Sequence, residues 1–267
     1  MKIGIFDSGI GGLSVLYEAM QLLPHEQFIY YADEKHVPYG EKTREEIIGY
    51  VDEIIQFMID HDCKAIVIAC NTATSAAVAL MRKKYDIPLE KKVFVYGGNL
   101  GKPQGIDFLI ECLHSQENSK DNYFLIVGDG TEYGKIEKFV KSSNQNNIRL
   151  MKRLPQEDYD TMVGACDVGM IFLDHRFTIP NFPSRLLSYM QAKIPVLACT
   201  DSNTDIGRIV ENAGFGNCCE SNNVEAFGKC TEKIMQIGNV ADVEWNYLNE
   251  YYSTKTGYNI IMKHFKK

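Results

Sequence analysis

The chain is predicted to be an α/β protein made of two doubly wound parallel-sheet units, and three observations predict it. Short apolar runs alternate with amphipathic helical stretches along most of the sequence, which puts helices on the faces of a parallel sheet. A glycine-rich turn follows the first strand of each half, at Gly9-Ile10-Gly11-Gly12 and again across 97–105. The character of the chain also changes near Leu89-Glu90-Lys91-Lys92, dividing it into 1–90 and 92–267 without a long glycine- or proline-rich linker. A chain of 267 residues has enough material for two modest cores, so two sheets are expected rather than one.

In the first part, 3–6 reads as a buried strand, followed by the glycine turn and an amphipathic run over 13–23. A second strand spans 28–31. The helix expected over 44–61 carries Ile47, Val51, Ile54, Ile55, Met58 and Ile59 on one face, with Thr43 and Glu46 spaced as a capping box. The third strand, 65–69, leads into a helix over 72–85 that Asp86-Ile87-Pro88 stops.

The second part opens with a strand over 92–96, a loop containing Gly97, Gly98, Gly101, Lys102 and Gly105, and a helix over 106–114. Strands follow at 123–127, 148–151, 167–172 and 195–198. Helices are expected to about 140, from 154 to 164, over 183–191, over 205–213 and over 226–236. This part has strands and helices enough for a complete doubly wound unit.

Composition narrows the function classes. A formal charge of −7 argues against nucleic-acid binding, which calls for a basic face. No apolar run approaches the roughly 18 residues of a membrane span, and the N-terminus reads as a strand rather than a signal peptide. Eight cysteines without a C-x-x-C pair read as reduced thiols of a cytoplasmic enzyme, with Cys218 and Cys219 as ordinary strand or loop residues. No metal and no cofactor are expected, and the oligomeric state is left open.

Two stretches carry chemistry. Cys70 ends the third strand where a helix begins, so free N–H groups and the positive helix end should favour its thiolate. Asp7 ends the first strand beside it, and ligands in such sheets bind beyond the carboxyl ends of the strands. Asp7 is placed to exchange protons, while Ser8 and the glycine turn offer donors to a carboxylate. The alternatives are a cysteine that is only a small buried hydrophobe, and a weak dinucleotide fingerprint in the glycine turn with Asp33. The 97–105 loop suits a diphosphate: glycines allow close backbone approach, the helix start supplies N–H groups and Lys102 supplies charge. A structural turn is the plain alternative.

Phe6-Asp7-Ser8-Gly9-Ile10-Gly11-Gly12-Leu13, Val37-Pro38-Tyr39-Gly40 and Ala69-Cys70-Asn71-Thr72-Ala73-Thr74 together resemble the N-terminal part of glutamate racemases. The resemblance implies Cys70 as one catalytic thiol and Asp7 as its supporting acid/base. It implies that Ser8, Tyr39, Gly40, Asn71 and Thr72 hold the carboxylates and amine of glutamate. The likeness stops near Pro88-Leu89. The family's second cysteine, in a Cys-Thr-His motif, has no counterpart; Cys199-Thr200-Asp201 is the nearest sequence.

The second part resembles the C-terminal, donor-binding domain of family-four glycosyltransferases with the GT-B fold, nearest to the bacterial branch that builds surface polysaccharides, fucosamine-transferring members included. The motifs are Tyr96 to Gly105, Val127-Gly128-Asp129-Gly130-Thr131-Glu132-Tyr133-Gly134, Ala165 to Gly169, Ile179-Pro180-Asn181-Phe182-Pro183-Ser184-Arg185-Leu186-Leu187-Ser188-Tyr189-Met190 and Asp201 to Gly207. Trp245 to Ser253 looks like the family's closing helix. The units would thus be Rossmann/flavodoxin-like, the second a GT-B C-terminal domain.

The second resemblance implies a UDP-sugar site. Gly98, Asn99 and Lys102 would face the diphosphate, and Arg153 and Leu154 would border the base. The stretch from Asn181 through Ser184 and Arg185 to Ser188 would cover sugar and ribose. Pro180 and Ser188 stand where many members carry two glutamates, which leaves Ser188 as a neutral ribose partner. Asp174, His175 and Arg176 are further candidates for the cleft.

Three functions follow as expectations. The first is a glycosyltransferase-type protein for bacterial surface polysaccharide. It would take a UDP-sugar donor and a peripheral-membrane or lipid-linked acceptor, with transfer weakened because the acceptor domain is replaced. The second is a racemase-like isomerase that binds glutamate and serves peptidoglycan supply. The third is an inactive fusion of the two.

Overall fold

The computed structural model describes residues 1–143, 146–176, 178 and 181–265. It divides into two compact units, Met1–Leu89 and Glu90–Lys267, and contains two parallel sheets.

In the first unit, β1 (Lys2–Asp7), β2 (Phe28–Ala32) and β3 (Cys63–Ile68) pair in the order β2-β1-β3. The register sets Asp7 beside Ala32 and Phe6 beside Ile68, so the strand ends that carry Asp7 and lead to Cys70 lie together. Helices α1 (Leu13–Leu22), α2 (Arg44–Asp60) and α3 (Asn71–Lys84) connect and flank the strands. The start of α2 is closed by the expected reciprocal pair: the Glu46 amide donates to Thr43 Oγ1 at 3.3 Å and the Thr43 amide to Glu46 Oε2 at 2.8 Å. Phe6, Val51, Ile54, Met58, Ala73 and Ala76 form one core between the sheet and helices α2 and α3. Helix α1 departs from the amphipathic expectation: it buries no residue, and Leu13, Tyr17, Met20 and Leu22 are exposed.

In the second unit, six strands are parallel: β4 (Lys92–Asn99), β5 (Asn122–Asp129), β6 (Ile148–Met151), β7 (Val168–Phe172), β8 (Val196–Thr200) and β9 (Gly216–Glu220). Their order is β6-β5-β4-β7-β8-β9, so the chain winds outward from β4 in one direction and then returns to continue in the other. Such a reversal opens a crevice beyond the carboxyl ends of the central strands. The helices are α4 (Ile106–Ser115), α5 (Tyr133–Ser142), α6 (Gln156–Val163), α7 (Arg185–Ala192), α8 (Ile206–Asn212), α9 (Val224–Ile234), α10 (Ala241–Tyr252) and α11 (Thr254–Phe265).

At the reversal β4 and β7 share only two register pairs, Phe94 with Val168 and Val95 with Gly169. Tyr189 of α7 fills the gap: its hydroxyl lies 3.2 and 3.1 Å from the Val95 and Met170 carbonyl oxygens and accepts from the Gly97 amide at 3.3 Å. Gly169 makes room for the ring, since a Cβ there would lie 2.4 Å from it. Tyr189 is fully buried and locks α7 onto the sheet.

Two elements lacked a prediction from the sequence. Strand β9, Gly-Asn-Cys-Cys-Glu, has no apolar run and exists through its pairing with β8. Helix α11 lies beyond the last expected element. Among the described residues no helix is long and apolar enough to cross a membrane.

Candidate functional site

Unit one holds the cysteine constellation. Cys70 is the residue before α3, buried, and its Sγ donates to Ser8 Oγ at 3.4 Å. Asp7 is also buried, and both its oxygens are used locally: Oδ1 accepts from the Ser8 amide at 2.7 Å and Oδ2 from the Gly12 amide at 2.8 Å. The carboxylate therefore clasps the glycine turn. Gly12 is required there, because a Cβ would lie 2.8 Å from Ala69 Cβ and 3.0 Å from Asp7 Cβ. Tyr39 joins Cys70 and Phe6 in the core, and its hydroxyl donates to Asp33 Oδ2 at 2.6 Å. Burial first, and then that bond to Asp33, push the Tyr39 phenol well above its usual range. Gly40, Asn71 and Thr72 are exposed beside this group.

Cys199, the nearest sequence to a second base, lies in the other unit on β8. It is fully buried, and burial raises its thiol above the ordinary value, which keeps it protonated and inert. All eight cysteines are free thiols, and no three metal-ligating side chains converge among the described residues.

Unit two holds a cavity of about 540 Å³ beyond the ends of β4 and β5, within the size range of small-molecule sites. Of the residues singled out from sequence, Gly98, Asn99, Arg153, Leu154, Ser184, Arg185 and Ser188 line it. Gly98 has φ 121°, and a Cβ there would lie 3.3 Å from Arg185 Nη2. A Cβ on Gly128 would lie 1.9 Å from the Gly98 carbonyl oxygen. Both positions therefore need glycine for the backbone to approach the cavity as it does.

Arg185 begins α7 and lays its guanidinium over the Tyr96 ring, 4.2 Å from the centroid. Its Nη1 is buried with no hydrogen-bond partner in the protein. An arginine remains charged at any working pH, and a buried donor left unmet is costly. The site thus presents a cation to whatever fills the cavity.

Lys102 is not brought to this cavity. The Leu100 amide donates to the Asp129 carbonyl at 2.9 Å and the Glu132 amide to the Leu100 carbonyl at 2.9 Å. This pinning carries the following turn, Lys102–Gln104, to a second cavity that also takes Asp174, His175 and Arg176. Asn181 lies outside the lining of both, and Ile179 and Pro180 fall outside the described residues. Gly97, of the glycine-rich stretch expected to approach a diphosphate, lines the first cavity too, and Val127, Gly128, Asp129, Gln156 and Tyr159 do so without having been assigned a role from the sequence. Tyr159 had no signal to find it by; burial pushes its phenol up to about 12.

Comparison with known proteins fits both halves of this description. The family model for "Glycosyl transferases group 1" matches residues 78–243. A glutamate racemase of Lachnospira eligens is 33% identical over 285 aligned residues, covering 100% of this chain and 96% of its own length. One of Campylobacter curvus is 60% identical over 207 residues, 76% of this chain and 71% of its own. Among solved structures, WaaG, a glycosyltransferase involved in lipopolysaccharide biosynthesis, aligns with TM-score 0.53 and 16% identity over 66% of this chain; the chain spans 47% of it. Anabaena Alr3699/HepE, solved with UDP, aligns with TM-score 0.55 and 13% identity over 100% of both chains. These structures share the fold. The chain belongs to the glycosyl transferases group 1 family through residues 78–243 and, by its similarity to curated racemases, to the glutamate racemase family as well.

Proposed function

We propose that the chain binds a UDP-sugar in the first cavity of its second unit and acts as a glycosyltransferase-type protein in bacterial surface-polysaccharide synthesis. The observation that carries this is Arg185, a half-buried cation lining a cavity bordered by glycine backbone. A diphosphate supplies the opposite charge, and the planar guanidinium matches its oxygens two at a time. Gly98 and Asn99 then face the same phosphates, the start of α7 adds N–H groups, Arg153 and Leu154 border the base, and Ser188 reaches the ribose. The uridine identity is supported by HepE, which was solved with UDP and with UDP-glucose. Transfer to a lipid-linked acceptor is weak, because unit one is racemase-like rather than an acceptor domain.

Thermal unfolding of the full chain with UDP, UDP-glucose or glutamate tests the reading. At a ligand concentration of about 100 Kd, binding stabilises by about 2.7 kcal/mol. The nucleotides should raise the transition. A rise with glutamate alone, or with none of the three, overturns the proposal.

A second reading is favoured by the contact between Cys70 and Ser8 and by the racemase relatives. Cys70 exchanges the Cα proton of glutamate but does not invert it efficiently, since Cys199 is not an opposing base. Deuterium uptake at Cα that vanishes in Cys70→Ala supports this; uptake that persists in the variant excludes the thiol.

A further inference from the structure

The end of β4 lines one cavity and the loop that follows it lines another, and the nucleotide sugar accounts for only the first. The second, about 570 Å³, lies among the starts of α4, α5 and α9 and the segment after β7. Three cations face four carboxylates in its lining, so the cavity has no excess of positive charge with which to hold a phosphate. Much of that charge is neutralised locally. Lys135 bonds Asp107 at 2.8 Å, and Arg176 grips Asp174 through Nε at 2.8 Å and Nη2 at 2.6 Å.

Paired ions of this kind still offer spare N–H groups and lone pairs side by side, which is what hydroxyl groups, being donors and acceptors at once, require. Ser221 points to a ligand independently of them. It is 1% exposed, its amide is spent on the Thr200 carbonyl at 3.1 Å, and its hydroxyl has no partner in the protein although the residue lines the cavity. Phe108 and Ile106 add an apolar patch to the same wall, suited to the C–H face of a ring.

We propose that this second cavity binds a neutral saccharide, the chemical class of a glycosyl acceptor. The role of acceptor rests on the donor reading of the first cavity, whereas the binding itself does not. The site lies in the same unit as the first cavity, which the last residues of β4 line, while the loop directly after β4 lines the second.

The test uses the full chain and saturation-transfer NMR with methyl α-D-glucopyranoside and the methyl glycoside of N-acetylglucosamine, in the presence of saturating UDP. At least one glycoside should bind with UDP in place. Ser221→Ala and the surface variant Asp107→Asn should each weaken it about two- to tenfold, the range for loss of one hydrogen bond. Affinity for UDP-glucose should be unchanged in both variants. Arg185→Met should lose UDP and keep the glycoside, so a failure of the donor reading shows up separately, in the UDP titration of the wild type. The proposal is overturned by absence of glycoside binding, by displacement with UDP or inorganic phosphate, or by full affinity in both variants. Weakened UDP-glucose binding in Ser221→Ala also overturns it, because the cavity would then hold the donor's own sugar.

Discussion

Arg185 and Glu244 both bury polar atoms without a hydrogen-bond partner, and their charges give the two opposite consequences. Arg185 is half-buried and lines a cavity, so a ligand there can pair with its charge although Nη1 itself is enclosed. Arg185→Met keeps much of the apolar contact with Tyr96 and removes the charge; UDP affinity should fall roughly ten- to hundredfold, the range for a bond to a charged group. Ser188→Ala removes one neutral bond and should cost about two- to tenfold; equal affinity in a UDP titration would exclude Ser188 from the ribose. Glu244 is fully buried, neither carboxyl oxygen has a partner, and burial pushes its carboxyl up to about 9. The unfolded chain loses this proton near pH 4.5 while the folded chain holds it to about pH 9. Its contribution to stability is therefore whole below about pH 4.5 and drains away as pH rises toward 9. Glu244→Gln should unfold at a higher temperature at pH 8, by at least about 2–4 °C, and the gain should shrink on lowering the pH toward 4.5. A gain independent of pH would contradict this origin.

Among the elements, α7 carries the site and Tyr189 fixes its place. Gly169→Ala on β7 would drive a methyl group into the Tyr189 ring; such overpacking costs about 1–3 kcal/mol. Because Arg185 and Ser188 ride on the same helix, UDP affinity should fall together with melting temperature. A variant that loses stability and keeps its affinity would show that α7 is held by other contacts. Strands β1 to β8 and helices α1 to α9 were legible from apolar periodicity and caps, as Thr43 with Glu46 illustrates. Strand β9 was not, because its residues have little strand character apart from the partner they pair with. The outward apolar side of α1 was not legible either: amphipathic spacing says which face is apolar, not that another element covers it. The seven cavity residues anticipated from sequence lie in motifs beside strand ends, where topology leaves little choice. Lys102 was misplaced because its direction is set by the hydrogen bonds of Leu100 to Asp129 and Glu132, a contact between distant parts of the chain.

At the scale of the whole molecule, two kinds of chemistry share one chain. Unit one carries a thiol, a clasped glycine turn and a buried tyrosine, all from the racemase-like stretch. Unit two carries a complete six-stranded sheet with its crevice. Cys199, the sequence's nearest counterpart to a second catalytic cysteine, is buried in the second unit, whereas the first cavity is lined by residues of the second unit alone. The proposed nucleotide-sugar binding is for that reason the reading that can be tested on the second unit alone. Calorimetric titration of the full chain with UDP, wild type beside Arg185→Met, tests this most directly. The account predicts saturable one-site binding by the wild type and a loss of roughly ten- to hundredfold in the variant. No binding by the wild type, or equal affinity in the two, would contradict it.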